Sequence, residues 1–321
     1  MRPRLVVLVL SLTLLLAACM IPVRKDTAVI TKPGATESSA RAVLGRYDAV
    51  RQQADEDLDG SLLPDIEGGE LLDIDQGAYF VSARVDQTGA HPEMDLGPLE
   101  RVIAPRFAAY PLWFVVVVPD RASGTKRVAV FERADSVSPW LMTMAPEMTG
   151  DAALPDVVTD SAGAAVTVTR DDATGTGLTP TRVLSQYAAE LTPGQDSASG
   201  LFAPDAFLEQ TRAFQRTQQS LPFATFQQTW TAQPPDFALR VEGGGVLVFG
   251  TLSRIDSYSV DANSFIDWED NADAAAYLPG RVYRSATLDY THQMLMFIPP
   301  QGQGRPSLIG QYGGVVDGQG S

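Results

Sequence analysis

Two stretches set 140 residues apart read as versions of one another. RAVLGRYDA at 41–49 faces TRVLSQYAA at 181–189, so Val43 meets Val183, Leu44 meets Leu184, Tyr47 meets Tyr187 and Ala49 meets Ala189. The same offset carries Gly60 onto Gly200, Pro64 onto Pro204 and Asp65 onto Asp205. That makes seven identities over 25 ungapped positions, 41–65 against 181–205. Chance supplies about one or two, so a duplicated unit is expected. A repeat constrains the fold strongly, because whatever the first copy forms the second should form again.

Each copy opens on a helical pattern. Val43, Leu44, Tyr47, Val50 and Ala54 share one face at helical spacing. In the second copy Thr179 before Pro180 has the form of an N-cap with proline in the first turn. A further helix is expected after Pro64 and after Pro204, where AFLEQTRAFQRTQ is the clearer version. Strand patterns then dominate. In copy one they are AYFVSARV (78–85), RVIAPRF, PLWFVVVV and KRVAVFERA, with DRASGT as a hairpin turn. In copy two they are FATFQQTW, FALRVE, VLVFGTLSRIDSYSV, RVYRSATLDYTHQMLMFI and SLIGQYGGVV. The expected class is α+β, a tandem repeat of two domains, each with N-terminal helices packed on a curved antiparallel sheet. The expected boundaries are 38–149 for the first domain and 178–321 for the second. Residues 150–177 are expected to be a linker carrying one short strand at AAVTVT.

The N-terminus reads as a targeting signal. Arg2 and Arg4 precede the apolar run LVVLVLSLTLLLAA, which is short for a membrane span and ends in LAAC at Leu16–Cys19. Small residues before a cysteine suit a lipoprotein signal peptidase. A signal peptide at 1–18 and a diacylglycerol on Cys19 are therefore expected, followed by a polar tether over 19–37. Acyl chains at about 0.8 kcal/mol per buried methylene give a durable membrane anchor. Cys19 is the only cysteine, which removes disulfides, thiol catalysis and cysteine metal sites from the mature chain.

The net charge is −15, about −17 once Arg2 and Arg4 are removed. Phosphate backbones and anionic lipid surfaces repel such a chain, so nucleic acid is not an expected partner. Three lysines stand against 21 arginines in an alanine-rich sequence, a bias of high-GC bacterial genomes. With LAAC, YPLWFVVVVPD, VAVFERADSVSPW, LTPTRVLSQYAAEL and FAPD on the page, the chain resembles a family of uncharacterised actinobacterial lipoproteins in which a lipobox precedes a domain of unknown function. That resemblance implies a tandem of cone-shaped domains like those of the nuclear transport factor 2 superfamily. The superfamily hosts enzymes, ligand binders and scaffolds, so the fold alone selects no function.

Three places invite a site reading. In ADEDLDG, Asp55, Asp57, Asp59 and Gly60 stand at positions 1, 3, 5 and 6 of a calcium loop. Position 12 is Ile66, Glu67 falls one residue late, Pro64 interrupts, and the second copy reads QDSASGLFAPD without the acids. The expectation is a structural hinge with no metal, weak calcium binding being the alternative. In LDYTHQMLMF, alternation puts Tyr290, His292 and Met294 on one strand face, a candidate ligand pocket. Trp268, set among Asp267, Glu269, Asp270 and Asp273, is a candidate pocket ring or a pin for its loop. Trp113, Trp140 and Trp230 read as core, and His91 as a loop residue. No phosphate loop, HExxH or GxSxG is present. No cofactor and no catalytic residue is expected. The expected function is a non-enzymatic binding or scaffolding lipoprotein on the extracytoplasmic face of the cell membrane, meeting an envelope protein or a small apolar ligand. The alternative is an envelope enzyme with a His292-centred acid/base pocket.

Overall fold

LWFVVVV in the first half carries no polar side chain for seven residues, and nearly every residue of its strand is buried. A strand that reads this way must be covered on both faces. The computed structural model describes residues 31–85, 94–150, 152–195, 200–268 and 271–321, and Lys32–Ser321 cluster as one unit. Cys19, the signal segment and His91 lie outside the described residues.

The first half begins with a two-residue strand β1 (Lys32–Pro33), helix α1 (Glu37–Asp57), a 3-10 turn (Gly60–Asp65) and helix α2 (Gly69–Val85). Thr36 and Ser39 cap α1 reciprocally. Strands β2 (Arg101–Ile103), β3 (Arg106–Phe107), β4 (Leu112–Asp120), β5 (Thr125–Arg133), β6 (Leu141–Met144) and β7 (Glu147–Met148) follow. The second half supplies α3 (Pro180–Leu191), α4 (Ala206–Gln219), β8 (Ala224–Ala232), β9 (Phe237–Arg240), β10 (Val246–Val260), α5 (Ala272–Tyr277), β11 (Ser285–Ile298) and β12 (Ser307–Gly320). Thr179 caps α3 with Pro180 in its first turn, as its sequence predicts. AYFVSARV is not a strand. Leu71, Ile74, Asp75, Tyr79 and Ser82 are buried at helical spacing, and the segment completes α2.

The protein is α+β with a large antiparallel sheet. Strands of both halves join one ten-stranded sheet in the order β2-β4-β5-β7-β12-β11-β10-β8, with β6 on β5 and β9 on β10. The junction is the short pairing of β7 with β12, Met148 opposite Gly310. Alternation then sorts side chains to two faces. Phe114, Val116, Val118 and Phe131 pack under α1 and α2, with Leu44, Tyr47 and Leu71. Val246, Val248, Met294 and Met296 pack under α3 and α4, with Leu184, Tyr187 and Leu208. On the opposite face Trp113, Val115, Val128 and Val130 of the first half meet Phe237, Leu239, Leu247, Phe249 and Leu295 of the second. The Trp113 and Phe237 rings are 5.0 Å apart. The layers are helix, sheet, sheet, helix. Each fully buried large apolar side chain in these layers contributes about 1.5–3 kcal/mol.

Of residues 150–177, expected as a linker, 152–177 run along the sheet edge. Val158 donates to the Arg240 carbonyl and Arg240 to that of Val166, both at 2.8 Å, while Ala165 donates to Ala104. Val157 and Ala165 are buried in the layer between the sheet faces. AAVTVT forms isolated bridges, Ala165 to Pro105 and Thr167 to Leu239, in place of a regular strand.

Helix α2 also reaches the second half. A Cβ on Gly77 would sit 2.2 Å from the Val315 carbonyl oxygen of β12. Gly250 plays the same part under α3, where a Cβ would sit 2.2 Å from Leu184 Cδ1. Glycine to alanine in a helix interior ordinarily gains up to about 1 kcal/mol. Here the clash is with backbone, so Gly77→Ala is expected to lose about 1–3 kcal/mol. Urea unfolding checks this, and an unchanged midpoint would show that α2 does not rest closely on β12.

Candidate functional site

Along α1 the buried face runs Ala40, Leu44, Tyr47, Arg51 and Ala54. An arginine at a core position must find counter-charges, because an isolated buried cation is prohibitive. Arg51 is 2% exposed and finds three. Its Nε lies 2.9 Å from Asp55 Oδ1, and its Nη1 lies 3.0 Å from Glu67 Oε1 and 2.5 Å from Asp75 Oδ2. Tyrosine hydroxyls complete the cluster: Tyr47 donates to Glu67 at 2.7 Å, Tyr79 to Asp55, and Tyr312 of β12 to Asp75. The Arg127 guanidinium lies 4.7 Å over the Tyr312 ring and is itself paired with buried Asp120. The network thus ties α1, the 3-10 turn, α2, β5 and β12 together.

One arginine cannot balance three carboxylates. Burial pushes the Glu67 carboxyl well up, the Asp75 carboxylate pushes it further, and Arg51 only partly opposes them. Glu67 is therefore the group that keeps its proton. Burial works against the Arg51 charge, but its acidic neighbours hold it above its ordinary value.

The candidate calcium acids are put to other uses. Asp55 lies in the last turns of α1 and is held by Arg51 and Tyr79. Asp57 ends α1, and Asp59 caps the 3-10 turn by accepting from the Ser61 N–H at 3.0 Å. Among the described residues no group of three or more His, Cys, Asp or Glu is placed to hold a metal ion.

The strand-face residues fare differently from one another. Tyr290 and His292 are stacked, with ring centres 6.3 Å apart, and Met294 is buried in the layer beneath α3 and α4. His292 lies against Trp230 and Phe207 at 4.9 and 5.5 Å, and neither ring nitrogen has a hydrogen-bond partner. Burial lowers its pKa to about 3, with the Arg254 charge adding to the effect and Gln311 opposing it. Arg254 fills the neighbouring aromatic space, 4.1 Å over Tyr290, 4.8 Å over Phe214 and 5.7 Å over Trp230. Its Nε donates to Asp256 at 2.9 Å, and Gln228 donates to the same carboxylate. The chain's own Arg254 and Phe207 lie against this face. Trp268 is buried against Tyr258 at 5.0 Å, in a cluster with Leu288 and Val315. Its ring pins the loop and does not project as a surface platform.

Arg51 and Asp55 also line a cleft of about 520 Å³, with Asp48, Glu56, Asp95 and Arg121 around it. Sequence reasoning missed this place. The signal was Arg51 at core spacing on an otherwise apolar helix face; its partners Glu67 and Asp75 carry no local signature.

A model of the family described as Domain of unknown function (DUF8094) matches residues 31–320. An uncharacterized lipoprotein of Streptomyces coelicolor is 28% identical over 187 residues, 54% of this chain and 50% of that protein. The alignment spans about half the length of that relative. No solved structure matches the chain.

The Arg51 network carries two expectations. Arg51→Met leaves Asp75 and Asp55 without their cation and is expected to cost about 3–5 kcal/mol. Glu67→Gln, which copies the protonated acid, is expected to cost about 1 kcal/mol or less at neutral pH. Folded Glu67 binds a proton that the unfolded chain releases near the ordinary value of 4.5, so its contribution to stability falls as pH rises above that value. Unfolding of Glu67→Gln should show a shallower loss between pH 5 and 7, and a slope equal to that of the parent would refute a protonated Glu67.

Proposed function

The chain belongs to the family described as Domain of unknown function (DUF8094), and on that premise we propose that it is a lipid-anchored, extracytoplasmic, non-enzymatic binding module of a bacterial cell envelope. Two lines support the anchor. LAAC ends a short apolar run at Cys19, and the Streptomyces relative is named a lipoprotein. Among the described residues no helix is long and apolar enough to cross a membrane. The tandem of cone-like domains belongs to the same proposal. Each half would contribute its helices and its share of the sheet, with 38–149 and 178–321 as the two units joined by 150–177.

The observation that carries the non-enzymatic reading is the state of His292. A general base needs a pKa near the working pH and a partner within hydrogen-bond reach. His292 has no such pKa, being neutral, buried and packed between aromatic rings, with Gln311 acting on it. The other buried ionisable groups are occupied with one another, Arg51 with its three acids and Arg254 with Asp256. Such side chains hold a shape. Binding then falls to the surface, where the cleft beside α1 has both volume and charge. A partner in the envelope, protein or small molecule, would meet the chain there.

Three outcomes follow. Cys19→Ala is expected to move the protein from the membrane to the soluble fraction on cell fractionation; retention in the membrane would sink the anchor. Cross-linking in intact envelope should trap a partner at the α1 side. His292→Leu removes two unpaired buried nitrogens, so its melting temperature should be unchanged or higher, with cross-linking unaffected. A fall of several degrees, or loss of the partner, would restore a working role to His292.

A further inference from the structure

The charges around the α1 cleft can be paired off one at a time. Asp55 is taken by Arg51 and Tyr79. Asp95 holds Arg121, whose Nε and Nη2 lie 3.1 and 2.7 Å from it. Glu56 accepts from Gln52 Nε2 at 2.8 Å. Asp48 is left over. Half-buried on α1, it has no hydrogen-bonded or ion-paired partner among the described residues, and Arg121 acts on it only through space. Burial is what chiefly raises its carboxyl, to about 6, with Arg121 opposing and Asp95 adding. Met94 and Leu96, both buried, give the cleft an apolar wall.

We propose that this cleft binds an organic ammonium ion, its charged head on the Asp48 carboxylate and its alkyl stem against Met94 and Leu96. The proposal rests on the binding role assigned above and names the ligand's chemistry. A carboxylate withdrawn from water and left unpaired is the costly element of the wall, and a cation relieves that cost. A hard metal ion would need six or more oxygen ligands, whereas the other carboxylates here already hold Arg51, Arg121 and Gln52. An anionic ligand would meet a wall with four acids against two arginines, on a chain of net charge −15. An ammonium on an apolar stem matches both the lone charge and the methionine–leucine wall. Such a group is carried by a free amine or by a lysine side chain of a partner.

Calorimetric titration of the detergent-solubilised full chain tests this, with n-hexylammonium and its neutral counterpart 1-hexanol as probes. Hexylammonium is expected to bind at least tenfold more tightly than hexanol, and Asp48→Asn to lose about tenfold, the worth of one charge-assisted bond. The groups facing Asp48 are Arg121 and Asp95 across the cleft and Arg51, Asp55 and Glu56 on its own helix, and the Asp48 carboxyl is raised to about 6. Affinity should accordingly fall about tenfold from pH 7 to pH 5 as Asp48 takes up its proton. A third probe, N-acetyl-lysine methylamide, separates the sources: tighter binding than hexylammonium assigns the seat to a partner's lysine, weaker binding to a free amine. Asp48→Asn removes a charge whose partial burial is costly, so the variant should fold and unfold at or above the parent's midpoint. Equal binding of amine and alcohol, or an affinity indifferent to Asp48→Asn in a folded variant, overturns the proposal. Such a result with a cross-linked envelope partner still present overturns the ammonium alone and leaves the binding role standing.

Discussion

The structure turns on a single buried cation. Arg51 projects from α1 into a site where the segment between the 3-10 turn and α2 brings Glu67, α2 brings Asp75 and β12 brings the Tyr312 hydroxyl. None of these groups is tolerable in the interior alone, since each would carry an unpaid desolvation penalty. Together they accept only one arrangement of the five elements that supply them. Apolar packing is permissive about register and angle, whereas a hydrogen-bonded ionic cluster is not. The last strand of the chain therefore has to reach α1 and α2 for the first half to be complete. A continuous sheet across the halves, joined by little more than Met148 and Gly310, draws its coherence from this polar centre and from the apolar layer where Trp113 meets Phe237.

The two copies of the repeat solve one packing problem with different chemistry. Tyr47 and Tyr187 are both fully buried, and each donates to an acid: Tyr47 to Glu67, Tyr187 to Asp205 at 3.0 Å. Asp205 also caps α4, whereas its counterpart Asp65 binds Arg46 only through a backbone carbonyl. At the same offset of 140 the place of Arg51 is taken by Leu191, buried at the end of α3. The second half therefore seals its helix layer with apolar side chains and places its own arginine, Arg254, on a strand among aromatic rings. The two segments share the helix, the hinge and the tyrosine. The charged interior arose on one side only, and the cleft lies beside it.

What could be read in the sequence follows the range of the interactions involved. The cap at Thr179, the β4–β5 hairpin and the long strands from 246 to 298 rest on neighbours a few residues apart, and their patterns were clear. Residues 78–85 misled because AYFVSARV is rich in β-formers, while its burial is governed by contacts of Tyr79 and Ser82 with distant elements. The single sheet was illegible because β7 and β12 pair across some 160 residues without a local signature. At the candidate sites, alternation named the correct face of β11 but could not tell an empty face from one filled by Arg254. Conversely, Arg51 was visible as a charge at core spacing, though nothing near it announced Glu67 or Asp75.

The arrangement of layers decides where this chain can meet another molecule. Both halves turn one sheet face inward to the shared apolar layer and cover the other with helices, so the interior of each half is full. Between helices and sheet the second half holds Arg254 among its aromatic rings and the first half holds the Arg51 cluster. On the proposed reading, recognition falls to the rim of the same cluster. There the charges that organise the interior run out of partners at Asp48. A network with three acids and one arginine inside, and a fourth unpaired acid at its edge, gives the cleft a negative character that is fixed by the fold. Long-range attraction of cations by the net charge of the chain would act in the same direction. Removing Arg51 would loosen the fold, whereas removing the Asp48 charge would leave the fold and silence the cleft, and that separation makes the two roles experimentally distinct.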